Sequence, residues 1–340
     1  MSKHKITMIF EDGRSEVIEA DENDTIYMAA LRNKVRLMTD CLEGACATCK
    51  GQIVSGQYSM DDYSDEALTD EEASAGEALT CQMHAQSDCV IEFPYESKIA
   101  FRTEPKCWDC RIASLEKVSS NVVRLDLSLN DGEDAPPDFM PGQYVNLTVP
   151  GTDQARSYSF ANPPFIADRF SFYIKMLDQG AMSDYLRDRA AEGDSISMTG
   201  PYGRFYLRAP ERPIVMVAGG TGLAPMLSML DHLAAAEITD QPVHLLYGAN
   251  DLSELFGLNQ IANYTSQNID IICETSCVEA GADWSGATGH VTELLRPELI
   301  EEGADVYLCG PPPMIDAAES WLTEQGVDPK SVHAEKFLPS

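Results

Sequence analysis

Residues 41–50 read CLEGACATCK, which sets three thiols, Cys41, Cys46 and Cys49, within nine positions. Gly44, Ala45 and Ala47 fill the gaps, so backbone N–H groups can approach sulfur. Cys81, in ALTCQMHA, is the obvious fourth ligand, with 31 residues intervening. A C-x4-C-x2-C run with a distant fourth cysteine is the spacing of plant-type [2Fe–2S] centres, and hydrogen bonds to the sulfurs help set their reduction potential. The alternative is a four-cysteine zinc site. Zinc more often takes two short pairs, whereas here one pair is x4 and the fourth cysteine stands alone.

Outward from this loop, residues 5–10 and 15–19 alternate around EDGR as a hairpin, and DTIYMAALRN reads as an amphipathic helix beginning after Asp24. Strands are expected at GQIVSG and CVIEF, and TDEE (Thr69 with Glu72) reads as a capping box. A small mixed sheet with one helix fits residues 1–100, and PYESKIAFRTEPK reads as a linker. Residues 104–209 then carry short strands punctuated by Gly and Pro, with one helix at SDYLRDRAA, as in a small antiparallel barrel. From Arg212 the pattern changes to apolar strands alternating with helices, beginning with PIVMVA, which implies a parallel α/β sheet over 210–340.

The chain has 340 residues, 44% of them hydrophobic, which suits two or three folded domains rather than disorder. It carries 55 acidic against 24 basic residues, a formal net charge of −31, and this argues against nucleic acid as a partner. Either a generally acidic surface serves solubility, or the charge steers the chain to a basic protein partner. The densest stretch, DDYSDEALTDEE (61–72), has seven acids and no base. The N-terminus has no apolar run of signal-peptide length, and PIVMVAGG is too short to cross a bilayer. A cytoplasmic location without membrane attachment is therefore expected. Ten cysteines in such a chain favour metal or redox roles over disulfides. Cys107 and Cys110 form a lone C-x-x-C that leaves a redox role open, and Cys89 reads as a strand residue.

Three further motifs bear on ligands. In RSYSFANP (156–163), Arg156 can hold a diphosphate, Tyr158 can pack on a flat ring and Ser159 can bond a ring nitrogen. Arg and Tyr on a strand are also commonly structural. AGGTGLAPM (218–226) places Gly219, Gly220 and Gly222 between a buried strand and a helix, where the helix N-terminus favours an anion. Its form departs from G-x-G-x-x-G, and an ordinary glycine-rich turn remains the alternative. Asp251, 29 residues past Gly222, suits a ribose 2′-OH and would repel a 2′-phosphate, so NADH is expected over NADPH. YLCGPPPM (307–314) ends a predicted strand, where ligands of α/β sheets bind; Cys309 there is either beside a nicotinamide or a buried small apolar residue. Hydrolase and kinase motifs are absent.

Taken in order, the cysteine pattern, RSYS, GPYGRFYL, GGTGLAPM, CGPPPM and the terminal EKF span essentially the whole chain. The chain resembles the NADH-dependent reductases of multicomponent oxygenases, above all those of benzoate, anthranilate and toluate dioxygenases. EKFLPS and the cysteine loop also look like reductases of soluble methane and related di-iron monooxygenases. The resemblance implies a β-grasp plant-type ferredoxin domain, an antiparallel β-barrel FAD domain and an α/β parallel-sheet NAD domain. It also implies that Cys41, Cys46, Cys49 and Cys81 ligate a [2Fe–2S] cluster, and that Arg156, Ser157, Tyr158 and Ser159 hold FAD. Lys175 and the backbone of Ala181, Met182 and Ser183 match its second flavin segment, and Phe337 would cover the flavin ring. Gly220, Thr221, Gly222, Cys309 and Gly310 would line the NADH site with Asp251, and Glu335 would lie near the nicotinamide. Ser159, Cys309 and Glu335 would position hydride transfer. Ala334 departs from the bulkier residue that relatives often carry there. The implied activity is electron transfer from NADH through FAD and the cluster to a Rieske-type dioxygenase component, or to a di-iron hydroxylase. The partner would dock transiently on a monomeric reductase. A redox-sensing or partner-binding protein without turnover is the reading from a different class.

Overall fold

The computed structural model describes residues 3–11, 15–101, 106–130, 136–137, 139–166, 169–203, 205–208, 210–236, 241–266, 270–281 and 284–337. The chain divides into two compact units, Met1–Pro105 with Tyr202–Arg204, and Lys106–Pro201 with Phe205–Ser340.

The first unit contains β1 (Lys3–Phe10), β2 (Ser15–Asp21), α1 (Ile26–Arg32), β3 (Lys50–Ser55), β4 (Tyr58–Met60), α2 (Asp70–Ser74), β5 (Glu77–Leu79), β6 (Met83–Ala85), β7 (Cys89–Phe93) and α3 (Ser97–Ala100). Its main sheet has the order β2-β1-β7-β3-β5, with β1 and β7 parallel. Alternation along β1 turns Ile6, Met8 and Phe10 inward, each no more than 2% exposed. Thr25 caps α1 by accepting the Met28 N–H, and α1 buries Ile26, Ala29 and Ala30. The capping box of Thr69 and Glu72 is present at α2. The expected turn of the first hairpin, residues 12–14, lies outside the described residues. The linker expected from Pro94 is corrected in its first half. Tyr95 is 1% exposed, with ring centroids 5.9 Å from Phe10 and 5.4 Å from Phe93. Phe101 meets Phe10 edge-on, so this segment completes an aromatic core that the strands leave open.

The second unit begins with β8 (Lys106–Lys117), β9 (Val122–Leu129), β10 (Tyr144–Thr148), β11 (Ala155–Ser159), β12 (Phe170–Lys175), α4 (Ala181–Asp188) and β13 (Ser195–Tyr202). The sheet order is β11-β10-β13-β8-β9-β12. The segments at its two edges meet where Ala161 N donates to Ser171 O at 2.8 Å, giving the barrel-like closure expected. Helix α4 starts two residues before the expected SDYLRDRAA, because the Ser183 hydroxyl accepts Leu177 N–H instead of capping the helix. Cys107 and Cys110 sit three apart on β8, hence on opposite faces, one exposed and one buried; the open C-x-x-C role is not supported by a paired thiol.

Downstream lie β14 (Ile214–Gly219), α5 (Leu223–Ala235), β15 (Val243–Asp251), α6 (Leu258–Ser266), β16 (Ile271–Glu279), β17 (Ala287–Thr288), β18 (Asp305–Gly310), α7 (Pro312–Glu324) and β19 (Val332–Lys336). All pairs in the order β17-β16-β15-β14-β18-β19 are parallel. Ile214 through Ala218 are at most 1% exposed, which is why that run lacks alternation. Strand order reverses beside β14, so a crevice opens at the carboxyl ends of β14 and β18. Among the described residues no helix is long and apolar enough to cross a membrane.

Candidate functional site: a four-cysteine loop and a nucleotide crevice

The cysteine loop wraps inward because three of its residues take left-handed backbone angles: Leu42 (φ 60°), Gly44 (φ 73°) and Ala47 (φ 57°). Two of these are not glycine, and such positions persist only where surrounding bonds hold them. Ser64 N donates to Gly44 O at 3.0 Å, and Gln82 Nε2 donates to Leu42 O at 3.1 Å. A Cβ on Gly44 would lie 2.9 Å from Tyr63 Cβ and 3.1 Å from Gln82 Cγ, so the loop closes only with glycine there.

The result is a set of donors aimed at sulfur. Ala45 N and Glu43 N approach Cys41 Sγ at 3.3 and 3.5 Å, and Cys41 N approaches Cys46 Sγ at 3.4 Å. Cys49 Sγ donates to Cys81 Sγ at 3.3 Å, and Gln82 Nε2 to the same sulfur at 3.5 Å. These donors push the Cys81 thiol down to about 6, while that shared proton and burial push Cys49 up. Burial raises Cys46 as well. Among the described residues no three ligand-type side chains converge on one ion. The thiols instead come as pairs, Cys41 with Cys46 and Cys49 with Cys81. A lone tetrahedral zinc needs all four at one point, whereas a two-iron centre takes them in pairs, so the donor set fits a [2Fe–2S] group.

In the second unit β11 presents Arg156 and Tyr158 on one face, opposite Leu147 and Val145, and Ser157 and Ser159 on the other. The Arg156 guanidinium donates to Ala155 O at 2.8 Å and Gln154 Oε1 at 3.1 Å. Ser157 Oγ donates to Asn146 Oδ1 at 2.7 Å. Burial holds the Tyr158 phenol well above its usual range. Lys175 ends β12, exposed. The first intrahelical bond of α4 runs from Asp184 N to Gly180 O, which leaves the N–H groups of Ala181, Met182 and Ser183 ahead of it, as an anion requires. An arginine, an aromatic ring and open helix donors on adjoining elements fit a flavin dinucleotide.

The crevice brings together residues far apart in sequence. Ser159 Oγ donates to Glu335 Oε2 at 3.2 Å across 176 residues. Glu335 stands in register with Cys309 on the neighbouring strand, and Phe337 N donates to Gly310 O at 2.9 Å. Cys309 is fully buried, and burial first, then the Glu335 charge, hold its thiol neutral. Phe337 packs partly buried against the core around α5, and Ala334 is exposed. A Cβ on Gly222 would lie 2.1 Å from Cys309 O, so the glycine turn touches the end of β18 directly. Gly220 (φ +55°) faces open space, Thr221 sits between them in the same short turn, and α5 follows at once. Asp251 ends β15, with Oδ1 accepting Ser253 N at 2.7 Å; this bond lowers its carboxyl. Glu279 stands in register beside it, so the strand end is acidic.

Gln82 was not singled out from the sequence. An amide after a ligand carries no pattern, and only the fold shows that it bonds both Cys81 and the cysteine loop. The bonds that Asn121 and Glu254 make are equally invisible in the chain order.

Models of three protein families match in succession: a 2Fe-2S iron-sulfur cluster binding domain at residues 9–86, an oxidoreductase FAD-binding domain at 109–206 and an oxidoreductase NAD-binding domain at 216–320. The toluate 1,2-dioxygenase electron transfer component of Pseudomonas putida is 38% identical, covering 99% of both chains. The reductase component of propane 2-monooxygenase from a Gordonia species is 35% identical over 98% of this chain and 97% of its own. Among solved structures, the cytochrome P450 reductase of Amycolatopsis superposes with a TM-score of 0.71 at 27% identity, covering 98% of this chain and 99% of that one. The chain thus belongs to the family of oxygenase electron-transfer components and is an NADH-dependent flavin iron–sulfur oxidoreductase, with [2Fe–2S], FAD-binding and NAD-binding domains in one polypeptide.

Proposed function

We propose that this chain draws electrons from NADH and delivers them to the oxygenase component of an aromatic-ring-hydroxylating dioxygenase of the benzoate type. Bound FAD supplies the conversion between a two-electron hydride donor and a one-electron [2Fe–2S] acceptor. The observation that carries the reading is the meeting of Ser159 on the barrel with Glu335 and Cys309 on the α/β sheet. Working boundaries of 1–100, 104–209 and 210–340 separate cluster, flavin and nucleotide functions.

Cys41, Cys46, Cys49 and Cys81 hold the cluster. Arg156 and the first turn of α4 (Ala181, Met182, Ser183) hold the FAD diphosphate, with Ser157 and Lys175 beside them and Tyr158 and Phe337 against the ring. Gly220, Thr221, Gly222 and Gly310 give the nucleotide its backbone seat. Asp251 and its acidic neighbour Glu279 favour a free ribose 2′-OH and repel a 2′-phosphate, hence NADH. Ser159, Cys309 and Glu335 orient the nicotinamide, and the buried neutral thiol of Cys309 acts by packing rather than as a nucleophile. Ser159→Ala is expected to slow NADH-to-flavin reduction about 10- to 100-fold, as small misplacements do, with the cluster's visible spectrum unchanged. Stopped-flow reduction at the native rate removes the assignment.

The cluster-bearing unit docks a basic face of the oxygenase transiently, as a cytoplasmic monomer. Leu42, 49% exposed beside Cys41, and the acids of 61–72 supply the contact. Electron delivery is then expected to fall several-fold, roughly, from 0.05 to 0.5 M salt, with dye reduction by NADH unaffected. Salt-insensitive delivery assigns the acidity to solubility alone. The monooxygenase relative supports a second reading, a di-iron hydroxylase as acceptor, and reconstitution with each type of oxygenase decides between them. Catalytic reduction of a dye, rather than a single equivalent, excludes a sensor without turnover.

A further inference from the structure

Asp251 does not end its strand in isolation. It opens a short turn, Leu252–Glu254, and that turn is tied to the barrel. Ser120 N donates to Ser253 O at 2.8 Å, and Asn121 Nδ2 donates to Glu254 Oε1 at 2.8 Å. Beside these bonds Tyr173 and Phe256 pack with ring centroids 4.6 Å apart.

Ser120 and Asn121 form the turn between β8 and β9, and the same turn holds the segment that leads into α4. Asn121 O accepts Met176 N at 2.7 Å, and the next residue, Leu177, donates its N–H to Ser183 Oγ at 3.0 Å. One chain of hydrogen bonds therefore runs from Asp251 to the first turn of α4. Asn121 is where its halves meet. Its side chain reaches the nucleotide turn and its carbonyl reaches the flavin segment. The amide also holds the Glu254 carboxylate toward the barrel.

We propose that Asn121 is a positioning residue that couples pyridine-nucleotide binding to flavin retention by holding the Asp251 turn against the barrel. The inference rests on the ribose role of Asp251 and the diphosphate role of α4 given above.

Asn121→Ala removes the bond to Glu254, together with a longer one accepted from Ser119 Oγ at 3.4 Å within the same turn, and spares the backbone bond to Met176. The Kd for NAD⁺, measured by titration, is expected to rise about tenfold, as for loss of one hydrogen bond to a charged acceptor. Dye-reduction kcat at saturating NADH stays at the native value. NAD⁺ is expected to slow FAD release from the native protein on dilution and to have no such effect on the variant. Glu254→Gln, whose amide oxygen still accepts, keeps most of the affinity, whereas Glu254→Ala matches Asn121→Ala. The double alanine variant is no worse than either single one. Additive losses, or native NAD⁺ affinity in both alanine variants, overturn the proposal. Should Asn121→Ala fail to fold, Glu254→Ala read against Glu254→Gln carries the same test from the other side. Asp251→Ala separates the two levels. Unchanged NAD⁺ binding there removes the ribose assignment, while weakened binding there with none in Asn121→Ala removes only the tether.

Discussion

Cys49→Ser is expected to abolish electron delivery to a one-electron protein acceptor while NADH continues to reduce a two-electron dye. Cys49 is 3% exposed and its sulfur lies 3.3 Å from that of Cys81, so the pair is already set to share a metal atom. Its carbonyl is also fixed, accepting from Thr80 N at 3.1 Å and Thr80 Oγ1 at 3.0 Å. A serine oxygen is shorter and harder than a thiolate and cannot replace it for iron without shifting that backbone. Loss of groups that merely support a ligand costs about 10- to 100-fold, so loss of the ligand should cost at least about 100-fold in delivery. Iron and acid-labile sulfide should fall together, with the yellow chromophore retained. Removing iron from the native protein with a strong chelator should reproduce the same split. Full delivery by Cys49→Ser removes it from the ligand set.

Gly222→Ala should be the most damaging small substitution in the nucleotide crevice. The added methyl would stand 2.1 Å from Cys309 O, 2.6 Å from Cys309 C and 3.1 Å from Gly310 N. All three are backbone atoms of β18, so nothing flexible can give way. Overpacking of this kind costs about 1–3 kcal/mol of stability. The larger effect is on geometry, because the displaced strand end carries Cys309 and lies in register with Glu335. A shift near 1 Å is worth about 100-fold in rate. Gly220→Ala provides the contrast. Its φ of +55° is unfavourable for alanine, yet the space above it is open. That substitution should cost about 1–2 kcal/mol from backbone strain alone, with far less loss of NADH-driven dye reduction. Equal losses in the two variants, measured with FAD content as the control, would show that contact with β18 is not what makes Gly222 matter.

Much of this architecture was legible in residue order. The cysteine spacing predicted a 2Fe-2S domain, which the family match bears out, because the candidate ligands lie mostly in one short loop. PIVMVA announced a buried parallel strand and ITMIF a half-buried one, because burial on two faces or one leaves a different periodicity. The placement of Asp251 and of the glycine turn at strand ends was readable for the same local reason.

Other features depended on which strands became neighbours. Ser159, Cys309 and Glu335 meet only because β18 and β19 lie side by side in register and the barrel edge faces them. Gln82 bonds both the cysteine loop, at Leu42 O, and the Cys81 sulfur, and Asn121 reaches Glu254 across 133 residues. Tyr95 looked like part of a linker until the aromatic core closed around it, and the redox role left open for Cys107 and Cys110 lost its support once β8 put them on opposite faces. Local pattern records how deeply each segment is buried, and therefore what kind of element it forms. Sheet order and register arise from packing all the elements at once, and they alone determine which distant side chains come within bonding distance.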